Sequence, residues 1–92
     1  EGTARTYLNQ VRDRVGLAAL TSSGNQLLED IYTERRLELA TEGHRFFDLI
    51  RTGKASEVLG DQGFVSSTHT YLPIPQQELD GAPDVLTQNP GY

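Results

Sequence analysis

Charged and apolar residues alternate inside one stretch, Glu34 to Gly53, and that alternation narrows what the chain can become. The stretch reads E-R-R-L-E-L-A-T-E-G-H-R-F-F-D-L-I-R-T-G. Stepping from Leu28 through Tyr32, Arg35, Leu39, Gly43, Phe46 and Ile50 keeps to one face of a helix, because each step is three or four residues. An arginine in the middle of that stripe must snorkel outward or meet a carboxylate. Glu38 follows Arg35 by three residues, Arg45 follows Glu42, Asp48 follows Arg45 and Arg51 follows Asp48 at the same spacing. Opposite charges three apart meet on a helix. Interleaved with apolar positions, Arg35, Glu38, Glu42, Arg45, Asp48 and Arg51 are expected to form a partly buried ion-pair network that braces the helix. The plainer alternative is a solvated helix, where each pair contributes only ~0.2–0.5 kcal/mol.

Upstream, Ala4, Tyr7, Leu8, Val11 and Val15 fall at helical spacing, with Thr3 as a candidate N-cap and Gly16 as a stop. This predicts a helix over 3–15, with Arg5, Arg12, Asp13 and Arg14 on its wet side. Leu17 to Leu20 is a short apolar connector, and the serines of Thr21-Ser22-Ser23-Gly24 are placed to cap the next helix. That helix starts near Asn25 and breaks or kinks at Gly43. Two helices with a short connector suggest an antiparallel αα-hairpin. One more turn is expected near Lys54 to Leu59. After Gly60 the periodicity stops. Pro73 and Pro75 remove backbone donors from Tyr71-Leu72-Pro73-Ile74-Pro75, so this segment lies extended at an edge. Gln76 to Leu79 suits a helical turn. The expected class is mostly α: residues 1–59 a helical hairpin with a kinked second helix, residues 60–92 a largely irregular tail.

The sequence has 92 residues, room for one small domain, and 36% are hydrophobic, a low share for a core at that length. Phe64, Tyr71, Leu72, Ile74, Leu79, Val85, Leu86 and Tyr92 are spaced anchors that would bury against another body. A chain that starts at Glu1 and holds no methionine reads as a processed or excised piece. The net charge of −5 leaves no basic stripe for phosphates, which argues against nucleic acid and against anionic lipid. Without cysteine there is no disulfide and no thiolate chemistry, and the compartment stays open. No apolar run nears the roughly 20 residues that span a bilayer.

Glu38 and Glu42 lie one helical turn apart and could serve as a glycosidase acid and base. Neighbouring arginines favour their charged forms, which suits salt bridges better than proton donation. His44 sits beside Glu42 and Asp48, but there is no H-E-x-x-H, and His69 stands alone in the tail. Both histidines read as capping or surface groups. Ser66, Ser67 and His69 assemble no triad by spacing, and Gly43, Gly53 and Gly60 make no phosphate loop. No catalytic, metal or cofactor residue is therefore assigned. Sugar binding needs aromatic platforms, and the chain has no tryptophan. Tyr7 and Tyr32 read as core, Tyr71 and Tyr92 as tail anchors. No ligand-contacting residue is assigned, and Tyr71 is the one position named for a test.

The pattern E-R-R-x-E-L-x-x-E-G-x-R-x-x-D-L-x-R-x-G at 34–53 resembles the signature near the end of the SusD/RagB family. Three further blocks resemble that family in the same order: Tyr7 to Arg12 ending in Gly16-Leu17, Tyr71 to Pro75 with Glu78-Leu79, and the closing Gln88 to Tyr92. Four ordered blocks are far more specific than one short motif. Thr41 and Phe46 depart from the family's usual large apolar residue and tryptophan. The resemblance implies the C-terminal portion of a surface-exposed outer-membrane lipoprotein that binds glycans or other nutrients. It implies a lid on a TonB-dependent, SusC-like transporter, an N-terminal lipid anchor outside these residues, and a helical fold with tetratricopeptide-like pairs. The glycan platform of that family generally lies in other loops, so this portion is expected to be mainly structural and not an enzyme. Two rival readings are a free-standing helical-hairpin interaction module and a hydrolase piece using Glu38 and Glu42.

Overall fold

A computed structural model describes residues 1–92. Six α-helices follow one another: α1 (Gly2–Arg14), α2 (Gly24–Glu38), α3 (Arg45–Arg51), α4 (Ala55–Leu59), α5 (Ser66–His69) and α6 (Gln76–Gly81). A 3-10 turn, Gly60–Gln62, extends α4. No strand forms, so the mostly helical class expected from the sequence stands. No helix is long and apolar enough to cross a membrane. By contacts the chain divides into two compact units, Glu1–Arg45 and Phe46–Tyr92. The division at 59/60 anticipated above marks where helical periodicity fades, which is a different property.

In the first unit, α1 closes at Gly16. The Gly16 N–H donates to the Asp13 carbonyl and the Leu17 N–H to the Arg12 carbonyl, both at 3.0 Å. Gly16 takes φ +74°, a left-handed value that glycine adopts without a Cβ penalty. The chain then turns back along α1. Arg12 Nε donates to the Ala18 carbonyl at 2.9 Å, Asn9 Nδ2 to the Leu20 carbonyl at 3.0 Å, and Arg5 Nε to the Ser22 carbonyl at 2.9 Å. Three or four helical residues rise roughly 4.5–6 Å, while two residues of extended chain rise roughly 6.6 Å. Side chains at 5, 9 and 12 can therefore meet every second carbonyl of an extended connector.

That ladder changes how the two long helices pair. The connector returns the chain to the N-terminal end of α1, so α2 runs in the same sense as α1. The cross-links confirm the order: Arg12 pairs with Glu34, and Arg14, further along, pairs with Glu38. The antiparallel hairpin anticipated from a short connector thus becomes a parallel pair with the extended connector as the return leg. Arg5 and Arg12, expected on the wet side, hold that leg in place.

Other local expectations shift as well. Glu1, not Thr3, occupies the N-cap of α1. Ser23 occupies the N-cap of α2 without a side-chain bond, and the Ser22 hydroxyl donates instead to the Asp30 carboxylate. The helix expected to run through 34–50 with a kink stops at Glu38, and α3 begins only at Arg45. Between them both Thr41 (φ 71°) and Gly43 (φ 77°) take left-handed conformations. Two such residues so close together end the helix. The apolar stripe from Leu28 to Ile50 is therefore cut at Leu39.

In the second unit, α3 closes at Gly53 as α1 does at Gly16, with Gly53 N–H to Ile50 carbonyl at 3.1 Å and Lys54 N–H to Leu49 carbonyl at 2.9 Å. Tyr71 to Pro75 is irregular, as the prolines require. The closing residues bind it. Ile74 N–H donates to Gln88 Oε1 at 2.8 Å, and Gln88 Nε2 returns a bond to the Ile74 carbonyl at 3.0 Å. Asn89 Nδ2 donates to the Leu72 carbonyl at 2.7 Å, and the Tyr92 hydroxyl to the Tyr71 carbonyl at 3.1 Å. The Gln88 carboxamide satisfies the one backbone N–H left between two prolines, as a neighbouring strand would.

The buried apolar side chains are Leu8, Leu27, Leu49 and Ala55. Many anchors stay exposed. Tyr7, expected in the core, is 65% exposed, and Tyr71, Leu72, Val85 and Tyr92 of the tail are exposed too.

Candidate functional site

The charged residues singled out from the sequence are spread over three elements. Arg35 and Glu38 lie on α2, Glu42 in the loop after it, and Arg45, Asp48 and Arg51 on α3. Within α3, Arg51 Nη2 donates to Asp48 Oδ1 at 3.1 Å. The Glu42 carboxylate stands 4.0 Å from His44 Nε2, both groups exposed. Glu38 accepts from Arg14 of α1.

The buried ion pair lies elsewhere. Glu34 is 7% exposed, and its Oε2 accepts from Arg12 Nη1 at 2.6 Å. A carboxylate at that depth requires such a partner. Sequence reasoning passed over Arg12, Arg14 and Glu34, because α1 charges looked solvated and their partners lie more than twenty residues away. A signal did exist: Glu34 and Glu38 are one turn apart on α2, and two arginines close α1.

Asp30 sits beside this pair. Hydrogen bonds from Ser22 and from Gln26 hold its carboxyl below the ordinary value of 3.8, with the Arg12 charge adding to the effect and burial opposing it. No group of three or more His, Cys, Asp or Glu side chains stands where it could hold a metal ion.

Two open depressions stand out. One is a groove of about 450 Å³ in the first unit, lined by Ala4, Leu8, Val11, Ile31, Glu34, Arg35 and Glu38. The other, about 370 Å³, lies in the second unit between Phe46, Leu59, Gln62, Phe64, His69, Leu72 and Tyr92. Its aromatic groups are linked: Phe64 lies 6.3 Å from Phe46 and 5.8 Å from His69, centroid to centroid. His69 Nδ1 accepts from the Val65 N–H at 2.8 Å, which makes it a capping histidine for α5. The Tyr71 side chain is 62% exposed and lines neither depression.

These features can be set beside known proteins. The family description of SusD proteins matches residues 1–92. The chain belongs to the SusD family. Two curated relatives come from Formosa agariphila. SusD-like protein P25 is 38% identical over 104 aligned positions, covering 94% of this chain and 19% of that protein. SusD-like protein P2 is 32% identical, covering 97% and 21%. Among solved structures, a laminarin-binding SusD-like protein is 50% identical with a TM-score of 0.78, covering 96% of this chain and 18% of that one. The chain spans about a fifth of the length of these SusD-like relatives.

Proposed function

We propose that this SusD-like chain is a C-terminal scaffold portion of a cell-surface glycan-binding protein. The observation that carries this reading is the 50% identity, across 96% of the chain, to a laminarin-binding SusD-like protein. The full protein would bind glycan without turning it over. It would sit on the outer membrane through an N-terminal lipid anchor outside these residues and serve a TonB-dependent, SusC-like transporter.

The local work of the segment is mainly structural. The Arg12–Glu34 pair and the α1 ladder brace the first unit, and residues 60–92 pack against helices or against other parts of the longer protein. The small core and exposed tail anchors support a piece that completes its packing elsewhere.

The test is calorimetric titration of the full-length protein with laminarin, alongside starch and xylan as controls. Saturable binding without release of reducing sugar is expected. Absence of binding to every glycan, or turnover of any, would overturn the reading. A pull-down from outer membranes should recover the transporter.

A further inference from the structure

We propose that the groove between α1 and α2 is the seat of a helix from the part of the longer protein that lies outside these residues. The proposal rests on the reading of this chain as a portion of a longer SusD-like protein, and it names what packs on the first unit.

The lining residues set the length and direction of the groove. On α1 they are Ala4, Tyr7, Leu8 and Val11, and on the α2 side Ile31 and Leu39 with charged residues between them. Each set covers about two helical turns, a rise of roughly 10–12 Å. Because the two helices run in the same sense, their stripes flank one trough. Side chains three and four apart make ridges on each wall, and a third helix can lay a ridge of its own between them. An occupant with apolar residues at i, i+3 or i+4 and i+7 matches the trough turn for turn.

The chemistry of the walls selects a helix over an extended segment. The backbone groups of α1 and α2 are spent on their own helical bonds, so an incoming extended chain finds no partner there for its N–H and C=O groups. A helix arrives with those groups satisfied. Two carboxylates at the groove are already answered, Glu34 by Arg12 and Glu38 by Arg14. The occupant therefore needs an apolar face rather than a countercharge for them.

The source of the occupant follows from length and from the core. This chain spans about a fifth of the length of its SusD-like relatives, so most of such a protein lies outside it. A tethered helix meets the groove at an effective concentration far above that of a separate partner. The first unit also needs the cover. Its buried apolar side chains are Leu8 and Leu27, a small core for a unit of this length. Tyr7 is 65% exposed as the unit stands. A helix seated in the trough covers its ring and makes it the core residue that its spacing calls for.

The experiment uses the full-length protein carrying Tyr7→Cys, with Tyr7→Ala as a second variant. Maleimide labelling of the introduced thiol is timed by peptide mass spectrometry, on the native protein and on the protein unfolded in denaturant. Light scattering gives the mass in solution. Protection of about tenfold or more in the native monomer is expected. Tyr7→Ala should lower the Tm, as loss of a buried ring does. Labelling at the unfolded rate, or a parent-like Tm for Tyr7→Ala, would overturn the proposal, because the groove would then be open. Protection that vanishes on dilution from dimer to monomer would overturn it too, by giving the groove to a second copy. Laminarin titration of the parent is read separately: no binding there would end the glycan reading and leave the groove result standing.

Discussion

The Asn9 carboxamide closes on both polar groups of the Leu20 backbone. Nδ2 donates to the Leu20 carbonyl at 3.0 Å, and the Leu20 N–H donates to Oδ1 at 2.8 Å. One side chain thus stands in for a strand partner on the connector, and it does so between Arg5 and Arg12, which hold the carbonyls on either side. Gln88 does the same for Ile74 in the other unit. Asn9→Ala removes two part-buried bonds and should lower stability by about 1–3 kcal/mol. Asn9→Asp keeps the acceptor but faces the Leu20 carbonyl with a charge, and should cost at least as much. Denaturant unfolding of the two variants checks both.

The two cross-helix ion pairs should behave differently. Arg12→Ala strips the partner from a carboxylate that is nearly buried and also releases the Ala18 carbonyl, so it should cost about 3–5 kcal/mol. Arg14 and Glu38 are exposed, and Arg14→Ala should change stability by less than about 1 kcal/mol. Equal effects would contradict the burial difference on which the contrast depends.

Gly91 has φ +92°, and a Cβ there would overlap Oγ1, Cγ2 and Cβ of Thr68. Gly91→Ala should therefore lift the closing residues off α5 and expose the Ile74 and Asn89 amides, both of which donate to Gln88 Oε1. Hydrogen exchange at those two amides reads the effect, and unchanged protection would count against it.

Acid should weaken the connector's contact with α2. The Asp30 carboxyl is held below 3.8 in the fold by Ser22, Gln26 and Arg12, in that order. A carboxyl with a depressed folded pKa adds stability above its unfolded pKa and loses it as the pH falls through the folded one. The parent should therefore lose this contribution below about pH 4, the unfolded carboxyl range. Asp30→Asn should show a shallower acid limb in pH-dependent melts, and parallel limbs would be the contrary result.

Much of the helical content was legible, because apolar spacing at Tyr7, Leu8 and Val11 and at Leu27 and Ile31 is local information. Gly16 and Gly53 marked helix ends for the same reason. The direction of α2 was not legible. It is set by Arg5, Asn9 and Arg12 reaching the carbonyls of Ala18, Leu20 and Ser22, and backbone carbonyls leave no trace in side-chain pattern. The cross-helix ion pairs escaped the sequence for a related reason: i+3 spacing finds Asp48 with Arg51, but it cannot show that arginines of another helix also meet Glu34 and Glu38. Thr41, a β-branched residue at φ 71°, hid the helix end that Gly43 alone only hinted at.

On the function proposed above, these residues brace a glycan-binding protein rather than do its chemistry. The most direct measurement is the melting temperature and laminarin affinity of the full-length protein carrying Arg12→Ala. A clearly lowered Tm is expected, with affinity unchanged at temperatures where the protein is folded. Affinity lost at an unchanged Tm would contradict it, and would place ligand recognition on the Arg12–Glu34 pair itself.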